Sequence, residues 1–125
     1  MSGRRILLVD DDKGLLQFLA RLLQRAGYTV LTAQDAYEAT TRANRESPDL
    51  ILTDITMPAG GGFSALERLT ISTKTNIIPI IVLTGTDDPE VEARALAAVV
   101  TLVPKKPCDN AVLLESIKTV LGEAG

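Results

Sequence analysis

The chain has 125 residues, of which 46% are hydrophobic and 3% aromatic, and its formal net charge is −3. This length suits one domain with a single aliphatic core, and we expect residues 1–125 to form it. The acidic balance argues against a nucleic-acid-binding or anionic-membrane surface, and no apolar run is long enough to cross a bilayer. A single cysteine cannot form an internal disulfide, so we expect a reducing, cytoplasmic compartment.

The first predicted elements are a strand and a helix joined by acidic residues. The apolar run Ile6–Val9 is short and typical of a buried parallel strand. After Asp12, leucines recur at the spacing of one helical face, and Gly27 is a natural stop for that helix.

The same alternation continues to the middle of the chain. A second strand is predicted over Tyr28–Ala33. Asp35, followed three residues later by Glu38, resembles a capping box and starts a helix that runs to about Glu46. A third strand, over Leu50–Asp54, follows this helix.

The second half repeats the pattern of strand and helix. Its predicted elements are a helix over Phe63–Ile71, a strand over Pro79–Leu83, a helix from Asp88 to about Ala98, a strand over Val100–Val103 and a helix from Asp109 to about Leu121. Strict alternation at these lengths predicts an α/β fold with a doubly wound parallel sheet and helices on both faces.

Polar residues follow the ends of several predicted strands: Asp10, Asp11, Asp54, Thr84 and Lys106. The carboxyl ends of parallel strands meet at one edge of the sheet, where such folds bind ligands. Three carboxylates in one crevice repel each other unless a cation is present, and hard oxygen donors suit Mg²⁺. With Lys106 the charges sum to zero, and Lys106, Thr84 and the metal can share the oxygens of a phosphoryl group.

Each of these residues also has a simpler interpretation. Acids at strand ends often only cap helices, and we expect that role for Asp12 and Asp109. A threonine such as Thr84 is by itself usually an ordinary strand-end hydroxyl. The glycines Gly60–Gly62 lack the following lysine and hydroxyl residue of a P-loop, so we expect a loop there.

Five motifs, in order, resemble the receiver domain of two-component response regulators, of the chemotaxis-regulator type. They are Leu8–Asp11, Pro48–Asp54, Met57-Pro58 with Gly62, Ile80–Thr84 and Lys106-Pro107. The resemblance extends from Ile6 to about Leu121. It implies a flavodoxin-like sheet of five strands in the order 2-1-3-4-5.

The resemblance also implies a metal site and a phosphorylation site. Asp54 would be the phosphoacceptor, held with Mg²⁺ as the cofactor. Asp11 would bind the metal directly, Asp10 largely through water, and Thr56 through its backbone carbonyl. The domain would thus receive its phosphoryl group on a carboxylate, as aspartyl-phosphate enzymes do.

Lys106 and Thr84 would, by the same resemblance, contact the phosphoryl oxygens. The phosphoryl donor would be a phosphohistidine on a sensor histidine kinase or a histidine phosphotransfer protein. The domain would catalyse its own phosphorylation and slow dephosphorylation, and would then switch conformation. The resemblance therefore implies a signalling domain and not a metabolic enzyme.

The output surface is where this chain departs from the family. An aromatic residue usually stands three residues before the lysine, and here that residue is Val103. We expect an output domain or downstream protein to bind the face of the predicted fourth helix, fifth strand and last helix, where a homodimer can also form. The Met1 start favours an N-terminal or free-standing receiver, whether or not the chain continues past Gly125.

Two other functions compete with this interpretation. The first is an interaction domain that keeps the site but is regulated by docking alone, without phosphorylation. The second is a metal-dependent phosphohydrolase, which needs a second acid two residues after Asp54. Thr56 stands at that position, so the hydrolase is disfavoured.

Overall fold

The computed structural model describes residues 3–54, 78–84, 101–104 and 110–122. The elements are β1 (Arg5–Val9), α1 (Lys13–Arg25), β2 (Thr29–Ala33), α2 (Ala36–Glu46), β3 (Leu50–Asp54), β4 (Ile80–Thr84), β5 (Thr101–Pro104) and α3 (Asn110–Leu121). Helix α3 is the last helix predicted from the sequence. The helices predicted over residues 63–71 and 88–98 lie outside the described residues.

The five strands form one parallel sheet in the order β2-β1-β3-β4-β5. This confirms the predicted fold class and strand order. Strands β4 and β5 extend to Thr84 and Pro104, one residue further than predicted. Proline is acceptable in β5 because this strand lies at the edge of the sheet, where a ladder donor is not needed on the outer side.

Helix α1 has defined caps at both ends. Its N-cap is Asp12, whose Oδ1 accepts a hydrogen bond from the Leu15 N–H at 3.1 Å. At the other end Gly27 has φ of 98°, and its N–H donates to the Gln24 carbonyl. The Tyr28 N–H donates to the Leu23 carbonyl, which completes a Schellman motif. Because Tyr28 closes the helix in this way, β2 begins at Thr29 and not at Tyr28 as predicted.

Helix α2 begins with a modified capping box. The Asp35 Oδ1 accepts from the Glu38 N–H at 2.8 Å, as a capping box requires. The Glu38 carboxylate, however, accepts from the N–H of Gln34 at 3.0 Å, one residue before the cap. Ser47 ends the helix in the left-handed region, with φ of 47°.

Apolar side chains fill both faces of the sheet. The larger cluster lies against α1 and α3 and contains Ile6, Leu8, Leu16, Leu19, Leu23, Tyr28, Leu50, Leu52, Ile81, Leu83, Leu113, Ile117 and Leu121. The alternate strand residues Leu7, Val9, Ile51 and Val82 are also buried, and α2 contacts β1 and β2. Burial on both sides explains why the strands are continuous apolar runs. None of the described helices is long and apolar enough to span a membrane.

Candidate functional site

Three consecutive aspartates at the end of β1 have three different environments. Asp10 is 2% exposed, whereas Asp11 and Asp12 are exposed. The Asp10 Oδ1 accepts a hydrogen bond from the Asp12 N–H at 2.9 Å, and Asp12 in turn caps α1. The turn therefore holds the Asp10 carboxylate at the edge of the sheet and leaves the Asp11 carboxylate facing solvent.

The backbone of Asp10 is also tied to the sheet. Its N–H donates to the Ala33 carbonyl at 3.1 Å, which extends the ladder between β1 and β2 by one residue. A buried carboxylate is costly unless hydrogen bonds or charges stabilise it. A position fixed by both main-chain and side-chain hydrogen bonds is what a preorganised ligand needs.

The strand register brings the backbone of Asp54 next to that of Asp10. Val9 pairs with Thr53 across β1 and β3, and Asp10 and Asp54 are the residues that follow this pair. Asp54 is itself paired with Leu83 of β4, so Thr84 lies one residue further along. Three of the predicted site residues thus lie at neighbouring strand ends on the carboxyl edge of the sheet.

The remaining predicted site residues cannot be placed in the same way. Thr84 ends β4 and pairs with Pro104 of β5. Thr56, Lys106 and the Lys106-Pro107 peptide bond lie outside the described residues. Among the residues whose side chains the structure describes, no group of three or more histidine, cysteine, aspartate or glutamate side chains forms a metal-binding cluster.

Asp49 has a structural role that the sequence did not predict. Its Oδ2 accepts from the Arg5 N–H at 2.8 Å, and its own N–H donates to the Arg5 carbonyl at 2.8 Å. This pair of hydrogen bonds joins β1 to β3 at the end of the sheet opposite the site. It therefore helps to set the register that places Asp10 beside Asp54.

Thr53 is a second residue that sequence analysis missed. It is fully buried next to Asp54, and its Oγ1 has no hydrogen-bond partner among the described residues. The available signal was a hydroxyl residue that ends the otherwise aliphatic run Leu50–Leu52. Buried polar groups of this kind are uncommon and concentrate near functional sites.

Comparisons with known proteins agree with this architecture. The sequence profile of the response regulator receiver domain matches residues 6–118. Protein PilH of Pseudomonas aeruginosa is 34% identical over 117 residues, which cover 94% of this chain and 97% of PilH. The chemotaxis protein CheY4 of Vibrio cholerae has a structure with a TM-score of 0.86 and 31% identity, covering 95% of this chain and 99% of CheY4.

Some relatives are much longer than this chain. The phosphate regulon transcriptional regulatory protein PhoB of Escherichia coli is 30% identical over 119 residues, which cover 95% of this chain and 52% of PhoB. The chain thus spans nearly all of PilH but only about half of PhoB. Because the match covers almost the whole chain and the structure has the same sheet, this protein belongs to the response regulator receiver domains of two-component signal transduction.

Proposed function

We propose that this receiver domain accepts a phosphoryl group on the carboxylate of Asp54, with Mg²⁺ as cofactor, and then changes conformation to signal. The observation that carries the proposal is the register that places Asp54 beside Asp10 at the carboxyl edge of the sheet. Open parallel sheets bind their ligands at this edge, next to the point where the strand order reverses. Membership of the receiver family supports the same assignment.

The residues available at this edge fit a magnesium ion. Asp10, Asp11 and Asp54, with the backbone carbonyl of Thr56, supply hard oxygen donors of the kind that Mg²⁺ prefers. When bound, the metal neutralises charge on the carboxylates and on the incoming phosphoryl group. Asp11 is exposed and Asp10 is fixed by the Asp12 N–H, so one ligand is accessible and the other is already oriented.

The phosphoryl transfer itself is a displacement at phosphorus. An oxygen of the Asp54 carboxylate attacks the donor phosphorus, and a new P–O bond forms. The P–N bond of a phosphohistidine donor breaks, and its electron pair leaves on the imidazole nitrogen. Lys106 balances the negative charge of the phosphoryl oxygens, and the Thr84 hydroxyl donates a hydrogen bond to one of them.

The proposed partners follow from this chemistry. The donor is a sensor histidine kinase or a histidine phosphotransfer protein in the cytoplasm. The phosphorylated state is read by an output domain or a separate downstream protein, through the face that contains β5 and α3. The domain therefore acts as a signalling switch that catalyses its own phosphorylation and slow dephosphorylation, and not as a metabolic enzyme.

The test is incubation with acetyl phosphate and Mg²⁺, followed by intact-protein mass spectrometry. The wild-type protein should gain one phosphoryl group, and Asp54→Asn should gain none. Asp11→Ala should lose both the labelling and its dependence on Mg²⁺. Asp35→Asn is the matched control, because it changes another aspartate at the same edge of the sheet and asparagine caps helices equally well. This variant should be labelled normally.

Two results would contradict the proposal. Normal labelling of Asp54→Asn would show that another residue is the acceptor. A wild-type protein that is not labelled, and that binds no beryllofluoride in the presence of Mg²⁺, would favour the domain regulated by docking alone.

A further inference from the structure

The hydrogen-bond pattern of β2 shows which of its backbone groups face the open edge of the sheet. The Thr29 N–H donates to the Arg4 carbonyl at 2.9 Å, and the Ala33 carbonyl accepts from the Asp10 N–H at 3.1 Å. Residues 29, 31 and 33 therefore direct their N–H and C=O groups toward β1, because these groups alternate along a strand. Val30 and Thr32 direct theirs away from the sheet.

Hydrogen bonds to other elements limit this open edge at both ends. The Tyr28 N–H is bound by the Leu23 carbonyl at the end of α1. The Gln34 N–H is bound by the Glu38 carboxylate at the start of α2. The donors between them that point outward are those of Val30 and Thr32, and in the described part of the chain no backbone group pairs with them.

The edge also lacks the features that usually prevent strand pairing. Edge strands are commonly protected by charged residues, proline or a bulge. The sequence of β2, Thr-Val-Leu-Thr-Ala, has no charge and no proline. Its five residues pair with β1 in an uninterrupted register, so the strand contains no bulge.

We propose that a second copy of this chain binds here, with the two β2 strands antiparallel about a two-fold axis at Leu31. In this register Val30 of each copy lies opposite Thr32 of the other. Such a pair exchanges two N–H···O=C hydrogen bonds, and the two-fold axis generates the second pair. All four outward groups on each copy are then satisfied, which a symmetric dimer requires of a self-complementary surface.

Charged side chains beside the edge are also self-complementary. A cavity of about 380 Å³ next to β2 is lined by Leu31, Arg42, Arg45 and Glu46. Within one copy, Arg42 and Glu46 form an ion pair at 3.3 Å. A two-fold axis at Leu31 brings the arginines and the glutamate of one copy toward those of the other. Surfaces that carry both signs of charge can pair with themselves, whereas a purely basic surface would repel its copy.

The test compares two substitutions of Thr32 by sedimentation equilibrium between about 10 μM and 1 mM, which covers weak association. Thr32→Pro removes an outward N–H from each copy but no hydrogen bond to β1, and proline is tolerated on edge strands. It should weaken the dimer by about tenfold or more. Thr32→Val is the matched control, because it also removes the hydroxyl but keeps the N–H, and it should dimerise like the wild type.

Amide hydrogen exchange in the wild-type protein gives a readout that needs no substitution. The amides of Val30 and Thr32 should become more protected as concentration rises, while that of Leu31, already bound to β1, should be protected at every concentration. A wild-type protein that stays monomeric would overturn the proposal and leave the edge to a strand of different sequence. A dimer that survives Thr32→Pro would also overturn it, because another face would then hold the copies together.

Discussion

At the scale of single residues, burial of polar groups is concentrated beside the site. Among the described residues, only Asp10 and Thr53 are polar or charged and buried. They lie at the ends of neighbouring strands, since Val9 pairs with Thr53 and Asp10 follows Val9. Burying such groups lowers stability unless they are hydrogen-bonded, so this edge of the sheet is where the fold gives up stability.

Replacing the buried hydroxyl of Thr53 tests this point. Thr53→Val keeps the β-branched shape and removes an oxygen that has no hydrogen-bond partner among the described residues. We expect the free energy of unfolding, measured with urea, to rise by about 1 kcal/mol. The control is Thr29→Val on β2, where the side chain is exposed and the same change should have little effect. Destabilisation by Thr53→Val would instead indicate that the hydroxyl has a partner that matters.

At the scale of the helices, both α1 and α2 end in a residue with a left-handed backbone. Gly27, after α1, has φ of 98°, and Ser47, after α2, has φ of 47°. Glycine adopts this conformation without steric cost, whereas a residue with a Cβ atom is strained there. The two positions therefore predict opposite effects of adding and removing a Cβ atom.

We expect Gly27→Ala to lower the free energy of unfolding by about 1 kcal/mol or more. Ser47→Gly should raise it by up to about 0.5 kcal/mol, because relief of strain is partly offset by the greater freedom of glycine in the unfolded chain. Thermal unfolding followed by circular dichroism measures both changes. Equal signs for the two substitutions would contradict the assignment of both positions to the left-handed region.

At the scale of the whole molecule, metal binding is linked to folding. Asp10 and Asp54 lie on strands that are adjacent only in the folded sheet, so a cation that bridges them binds the native state and not the unfolded chain. A ligand of this kind stabilises the native state according to its concentration relative to its dissociation constant.

We expect Mg²⁺ at about ten times its dissociation constant to raise the free energy of unfolding by about 1.4 kcal/mol. Asp11→Ala should lose most of this effect, and since Asp11 is exposed its removal should leave the fold intact. Asp35→Asn should keep the effect, because Asp35 only caps α2. Stabilisation by Mg²⁺ that is equal in all three proteins would place the ion elsewhere.

Local patterns in the sequence determined most of the elements. Asp12 and Asp35 mark the starts of α1 and α2, and Gly27 marks the end of α1, because caps and left-handed residues depend on hydrogen bonds within one or two turns. The apolar runs predicted strands buried on both faces, and their alternation with helices predicted a parallel sheet with the acids at one edge.

Only the tertiary structure decided how these elements meet. The register of β1 against β3 depends on Arg5 and Asp49, which are 44 residues apart in the chain and become neighbours only in the sheet. The same long-range pairing buries Thr53 and leaves Val30 and Thr32 directed toward an open edge. Short-range patterns cannot encode these features, because they arise from contacts between strands that the sequence keeps far apart.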